Sequence, residues 1–524
     1  MVVRSTSLRA RLGLVALVAG YGFLDLVAGA PNSPLTPVLP RGVGPPRWSV
    51  RGADWLGLDR LSRTGLTIVS LLILAALVLA LGVVFLEAWR GRVRLGAVLA
   101  AVGVSLALAV AAPVLLSRDV YSYAVYGRIF TLHGANPYLV PPSAFPFDPF
   151  VQVASREWIH APSVYGPAFT LLSASVAWIW GGSVAGTLLA FKVIAAASVG
   201  VASLLAARTA ETIRPGKQAA AATAIGLNPV IVVHTVGGGH NDALLALCIA
   251  GALMLAVRSQ SSADHRPSNG HSTGPAFLGA TTLLTLAVLV KSVALPILLL
   301  WLWHVVRRTS TDRRNIAVVT HGLLVVALAG AGFGPFAAGG RTFRALLSVA
   351  SRQGWASGPG LVVRGARAFG RAVGGGSTGV ALDTLVSVAF AALFLALFWR
   401  ILTRPVASDQ PDAWGRSMLL FALAAPYFLP WYAAWFLPLV VFMEDATLMV
   451  IGMSAAGLLA LTGVPAEPGT APHVWQAMML GVHYGAAPLM LGMLGVAVRR
   501  TLAGAGRETA PRPCLERPRT TSSP

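Results

Sequence analysis

The chain has 524 residues, 56% of them apolar and only 11% charged, with a formal net charge of +21 and a mean hydropathy of +0.71. Soluble domains carry about 25% charged residues, so most of this chain has no water to face, and a soluble globular enzyme is excluded. The basic excess would suggest nucleic acid in a soluble protein; here the arginines flank apolar runs, which points to membrane orientation and anionic membrane lipids, and to no nucleic-acid partner. The two cysteines, Cys248 in an apolar run and Cys514 near the end, provide neither a disulfide framework nor a thiolate zinc site.

Apolar runs of about 20 residues, enough to cross about 30 Å of hydrocarbon, recur along the chain and must be helical, because lipid offers an open backbone no partner. Leu14–Ala30 follows Arg4, Arg9 and Arg11 in the manner of a signal peptide, but it carries Asp25 and lacks a clear small-residue cleavage site, so it reads as a retained helix. Leu66–Glu87 and Leu95–Leu116 follow, joined by a turn whose Arg90, Arg92 and Arg94 mark the cytoplasmic side. The second run therefore leads outward to a first outer loop, residues 117–163. Tyr165–Gly182, with Trp178 and Trp180, reads as an interfacial helix and Val184–Ala207 as a span. Ala219–Val236 rises to Gly237–Asp242, and the next span descends to Arg258 and a polar linker, Ser259–Gly274. Phe277–Val306 is too long for one comfortable span and holds Lys291 and Pro296, which predicts two shorter helices broken near Lys291. Beyond Ile316–Phe336 lies a second outer loop, residues 338–380, with Arg341, Arg344, Arg352, Arg364, Arg367 and Arg371. The last spans break around Pro426–Tyr432, and residues 501–524 form a basic, Pro-rich tail expected to be disordered and cytoplasmic. The expected fold is an all-α polytopic membrane protein, a bundle of about 12–14 transmembrane helices over residues 1–500.

The reactive side chains collect at the outer ends of these helices. Asp119 follows a span directly, where partial desolvation suits a proton acceptor with a raised pKa; the plainer alternative is a helix-end carboxylate paired with Arg118 or Arg128. His240, Asn241 and Asp242 follow three glycines on the same side. They read as substrate contacts or as a helix cap, and His plus Asp alone is a weak metal signature, so no metal ligands are assigned while a divalent cation stays open as a cofactor. Lys291, inside an apolar run, would meet a lipid phosphate or pair with a carboxylate. Tyr123, Tyr165 and Trp431 belong either to an aromatic belt or to a platform for sugar rings. No nucleotide-binding loop, serine elbow or zinc-protease motif is present.

At these residues the chain resembles the GT-C glycosyltransferases, and most closely the actinobacterial polyprenol-phosphomannose-dependent α-1,6-mannosyltransferases of the MptA/MptB type. The resemblance rests on Ser117–Gly127, Gly134–Tyr138, Tyr165-Gly166-Pro167, Asn228-Pro229, Gly237–Leu245, the break near Lys291 and Phe428–Trp435. It implies a plasma-membrane enzyme with an extracytoplasmic site. Such an enzyme would move mannose with inversion from polyprenyl-phosphate mannose to a lipid-linked α-1,6 mannan acceptor, with Asp119 as base. His240, Asn241 and Asp242 would line the site, and Lys291 and Arg128 would face the leaving phosphate. A relative transferring another polyprenyl-linked sugar such as a pentofuranose, a lipid-sugar flippase or transporter, and a non-catalytic scaffold are the competing readings.

Overall fold

The structure, a computed structural model, describes residues 5–38, 44–264, 273–347, 356–403, 410–464, 466 and 472–503. No β-strand occurs among these residues. The chain folds as α1 (Leu8–Gly29), α2 (Arg63–Trp89), α3 (Leu95–Ala111), α4 (Asp119–Thr131), α5 (Pro167–Trp180), α6 (Val184–Ile213), α7 (Gln218–Gly226), α8 (Asp242–Asp264), α9 (Pro275–Val290), α10 (Leu295–Arg308), α11 (Thr311–Phe333), α12 (Gly358–Thr403), α13 (Gln410–Ala424), α14 (Ala446–Ala460) and α15 (Ala487–Ala503). Among the described residues, seven helical segments are long and apolar enough to cross a membrane, or eight with the bent pair α7 and Val230–Val236; four more apolar helices are shorter. The protein is a polytopic all-α membrane protein.

The elements differ from the sequence expectation where the backbone is interrupted. The run 219–236 is bent by 42° at Asn228-Pro229 and continues as a π-helical turn, Val230–Val236, since proline removes a donor and crowds the preceding turn. α8 runs through the first part of the expected linker to Asp264; residues 265–272 of that linker, and the tail from 504 with Cys514, lie outside the described residues. Of the stretch 338–380 expected as a second outer loop, the described residues are largely helical, and Arg352 lies outside the described residues. A short helix covers Arg341–Leu347, and α12 reverses at Gly375 (φ 80°). Arg367 pairs with Asp383 at 2.5 Å across this hairpin, which brings part of the arginine surplus against an acid.

Two ends of the bundle have opposite character. At one, Arg90 and Arg92 flank the buried Glu87, and Lys217 lies 4.8 Å above the Trp89 ring. At the other, the C-terminal ends of α3, of the π-helical turn and of α9 meet the N-terminus of α8. There the short helix α4 lies against α5 and α6. The polar residues of interest gather at this second end.

Candidate functional site

Asp119 opens α4, its backbone N–H bonded to Ser117 Oγ at 3.1 Å. The preceding turn passes through Leu116 with φ 60°, a strained value for a residue with a branched side chain. The Asp119 side chain is 17% exposed. Burial pushes its carboxyl up to about 7; Lys291 opposes the shift, Asp242 and Glu157 add to it, and the hydrogen bond to Ser117 opposes it slightly. One helical turn on, Tyr123 projects from the same face of α4, and its hydroxyl lies 3.2 Å from His240 Nδ1.

The glycine turn explains how His240 gets there. Gly239 has φ 68°, a conformation in which a side chain would be strained, and a Cβ there would sit 3.1 Å from Val120. The His240 N–H is fixed to the Thr235 carbonyl at 2.8 Å, and the ring stacks on Trp431 with centroids 3.8 Å apart. His240 Nδ1 is 3.7 Å from Asp119 Oδ2. Burial, then Lys291 and His234, hold the imidazole well below its ordinary pKa, so it is neutral.

Asp242 begins α8, where the helix dipole favours an anion. Its Oδ1 accepts from Lys291 Nζ at 2.8 Å and from Trp435 Nε1 at 2.6 Å. Lys291 is available for this because α9 ends at Val290 and Lys291 is extended (φ −156°, ψ 122°). The break is held by Tyr165-Gly166-Pro167: the Gly166 N–H donates to the Val290 carbonyl at 3.1 Å, and a Cβ at 166 would fall 2.1 Å from the Leu289 oxygen. The ammonium of Lys291 lies 4.3 Å from the Tyr432 ring centre and 5.3 Å from that of Trp435, inside cation–π range. Tyr165 meets Tyr123 edge-on at 4.8 Å.

Asp119, Tyr123, Tyr165, His240, Asn241, Asp242, Lys291 and Trp431 thus form one constellation at the end of the bundle. Within it, His240 Nε2, both amide atoms of Asn241 and Asp242 Oδ2 are buried with no hydrogen-bond partner. Buried polar atoms are almost always paired, so a group of unpaired ones at one turn is an exception with a direction: these atoms suit hydroxyl and phosphate groups of a ligand. Among the described residues no group of three or more His, Cys, Asp or Glu could hold a metal.

Arg128 is the correction to the sequence expectation. Nine residues after Asp119 it lies half a rotation away on α4, about 13 Å along the axis. Its guanidinium is already engaged, by Asp148 at 2.8 Å, the Gly181 carbonyl and the Phe150 ring at 4.6 Å. It anchors the loop that follows α4 and does not face the constellation. Arg128, one of the partners expected for Asp119, is paired with Asp148 instead, while Asp119 Oδ2 lies 3.7 Å from His240 Nδ1. Tyr432 and Trp435, which the sequence suggests only as belt or sugar-platform aromatics beside Trp431, instead hold the lysine–aspartate pair; the spacing Trp431, Tyr432, Trp435 within the Pro-interrupted stretch is the available signal.

An all-helical membrane bundle with an acid, a neutral histidine, a lysine–aspartate pair and aromatic rings at one end defines a membrane protein with a built polar site. Residues 35–307, just over half of the chain, match the family model described as alpha-(1->6)-mannopyranosyltransferase, N-terminal domain, and the chain belongs to that family. It is 29% identical over 352 residues to alpha-(1->6)-mannopyranosyltransferase A of Mycobacterium tuberculosis, covering 62% of each chain. It is 30% identical over 151 residues to alpha-(1->6)-mannopyranosyltransferase A of Corynebacterium glutamicum, covering 29% of this chain and 30% of that one. Over 146 residues it is 28% identical to alpha-(1->6)-mannopyranosyltransferase B of the same organism, covering 28% of this chain and 24% of that one. The chain therefore spans less than two thirds of the length of these relatives. No solved structure matches it.

Proposed function

We propose that the protein transfers a mannosyl group from a polyprenyl-phosphate donor to a hydroxyl of an α-1,6-linked, lipid-anchored mannan, at the extracytoplasmic face of the plasma membrane. The observation that carries this reading is the group of unpaired buried polar atoms at 240–242 beside a partly exposed carboxylate raised to about 7. Family membership supplies the sugar.

In the proposed reaction Asp119 takes the proton from the acceptor hydroxyl. The acceptor oxygen attacks the anomeric carbon, the bond from that carbon to the phosphate oxygen breaks, and the electron pair leaves with the lipid phosphate. Attack from the face opposite the phosphate inverts a β-linked donor to an α product. The phosphate leaves as a stable anion, so it needs a cation more than a proton donor. Lys291 suits that role, because Asp242 occupies one of its three donors and the aromatic rings beneath it fix its position. Neutral His240 and Asn241 are placed to bind sugar hydroxyls without competing for the proton. Trp431 supports the His240 ring.

The test supplies membranes containing the protein with radiolabelled polyprenyl-phosphate mannose and a short α-1,6 mannoside. The expected result is a longer mannoside whose new bond is sensitive to α-mannosidase. Label that crosses the membrane without a new glycosidic bond would favour a flippase, and a product formed only from a pentofuranosyl donor would favour the other sugar. For the membrane side, a cysteine replacing the exposed Phe147 in a cysteine-free background should react with an impermeant reagent from outside, and one replacing Arg92 only after lysis; the reverse pattern would place the site in the cytoplasm.

A further inference from the structure

Beside the constellation lies a cavity of about 520 Å³, walled by the segment 30–38, the end of α3, the start of α6 and Tyr121 of α4. Its volume falls in the range of small-molecule sites. Tyr121 follows Asp119 by two residues and so points about 200° around α4 from it, which sets the cavity on the far side of that helix from the His240 turn. The two spaces share a wall at Gly239, where a Cβ would lie 3.1 Å from Val120 and 3.6 Å from Lys192.

The chemistry of this cavity is distinct. Lys192 and Arg63 line it, and no acid does. Lys192 is only 3% exposed, and its ammonium donates to the carbonyls of Ala112 at 2.6 Å and Pro113 at 3.1 Å, which leaves one N–H over. Asp25 of α1 acts on it electrostatically, yet no ion pair joins them among the described residues. A buried amine held by two carbonyls, with the nearest acid not bonded to it, keeps hydrogen-bonding capacity for a ligand, and an ionisable group inside a membrane segment usually marks a binding function. Tyr121 is 1% exposed and lines the same cavity. The remaining lining is chiefly proline, alanine, valine and leucine. Leu189 at its rim and Val193 one turn below are exposed on the outer surface of α6, making an apolar track that leads away along the span.

We infer that this cavity is a second ligand site, which takes the anionic phosphate head of a membrane lipid, with Lys192 and Tyr121 on the phosphate and the lipid chain along Leu189 and Val193. Charge complementarity selects an anion, and the adjoining apolar track selects an amphiphile over a free ion. The inference does not rest on mannosyl transfer, because binding alone is measured.

The experiment titrates the full-length protein in detergent with dioctanoyl phosphatidic acid and counts bound lipid by native mass spectrometry. Dioctanoylglycerol, which lacks the phosphate, and inorganic phosphate are the comparison ligands. Saturable binding of the phosphatidic acid is expected, with weak binding of both comparison ligands. Lys192→Met should weaken it by about tenfold or more, since a charge-assisted contact is lost, and Tyr121→Phe by severalfold. Ala185→Trp, at an exposed position on the mouth, should block it with the melting temperature unchanged, which keeps the test decisive if Lys192→Met fails to fold. Equal binding of dioctanoylglycerol, full competition by inorganic phosphate, or binding untouched by Ala185→Trp would each overturn the inference.

Discussion

One short helix carries two polar clusters, and they are built to opposite rules. At the start of α4, Asp119, His240, Asp242 and Lys291 form a site with unpaired buried atoms and a carboxyl pushed up to about 7 by burial. Nine residues on, Arg128 meets Asp148, which also accepts from His133 at 2.9 Å and from the Phe150 N–H at 2.9 Å. Burial raises the Asp148 carboxyl, but the hydrogen bonds from His133, Phe150 and Arg128 outweigh it and hold the group below its ordinary value. The residue types are the same: an acid, a histidine and a cation. What separates them is satisfaction. A network whose members consume each other's hydrogen bonds fixes a loop, whereas one left incomplete keeps bonding capacity and a titratable proton for a ligand.

The comparison can be broken by mutation. The largest effect is expected from Asp119→Asn, which keeps shape and removes the base: transfer measured with labelled donor should fall by about 10²–10⁴-fold with thermal stability retained. Lys291→Met strands the charge of Asp242 and should both slow transfer and destabilise the protein by about 3–5 kcal/mol, read from the rate per folded molecule and from denaturation in detergent. Arg128→Met should cost comparable stability by stranding Asp148, yet leave the rate per folded molecule within about twofold. A rate loss there as large as that of Asp119→Asn would merge the two clusters into one function. Trp431→Leu, which removes the face beneath His240, should cost about 1 kcal/mol, or roughly fivefold in rate; an unchanged rate would make the stack incidental.

Those expectations also show what the sequence makes legible. A lysine in an apolar run announces the break at 291, and an acid directly after a span announces Asp119, because each is costly in lipid unless used. The glycines before His240 signal a tight turn, and Gly239, at φ 68°, is the one whose backbone a side chain would strain. The role of Arg128 was hidden for a different reason. Its partner Asp148, and His133 that shares that carboxylate, lie beyond the helix in irregular chain with no periodicity to place them, and only the rotation of α4 shows that Arg128 and Asp119 face apart. Trp435 was hidden because an indole in an aromatic stretch looks like belt or core until its N–H is seen on Asp242. The hairpin within α12 looks like loop in the sequence because its arginines obscure a helical pattern that reverses at a single glycine.

The pH dependence of transfer under single-turnover conditions bears most closely on the central claim. A base with a raised pKa is protonated and inactive below that value, so the rate should hold above about pH 7 and fall tenfold per unit below it. Lys291 holds the Asp119 carboxyl down, so Lys291→Met should move this limb upward. A native rate that stays level down to about pH 5, as an ordinary carboxylate base would allow, would contradict the assignment of Asp119 as the desolvated proton acceptor.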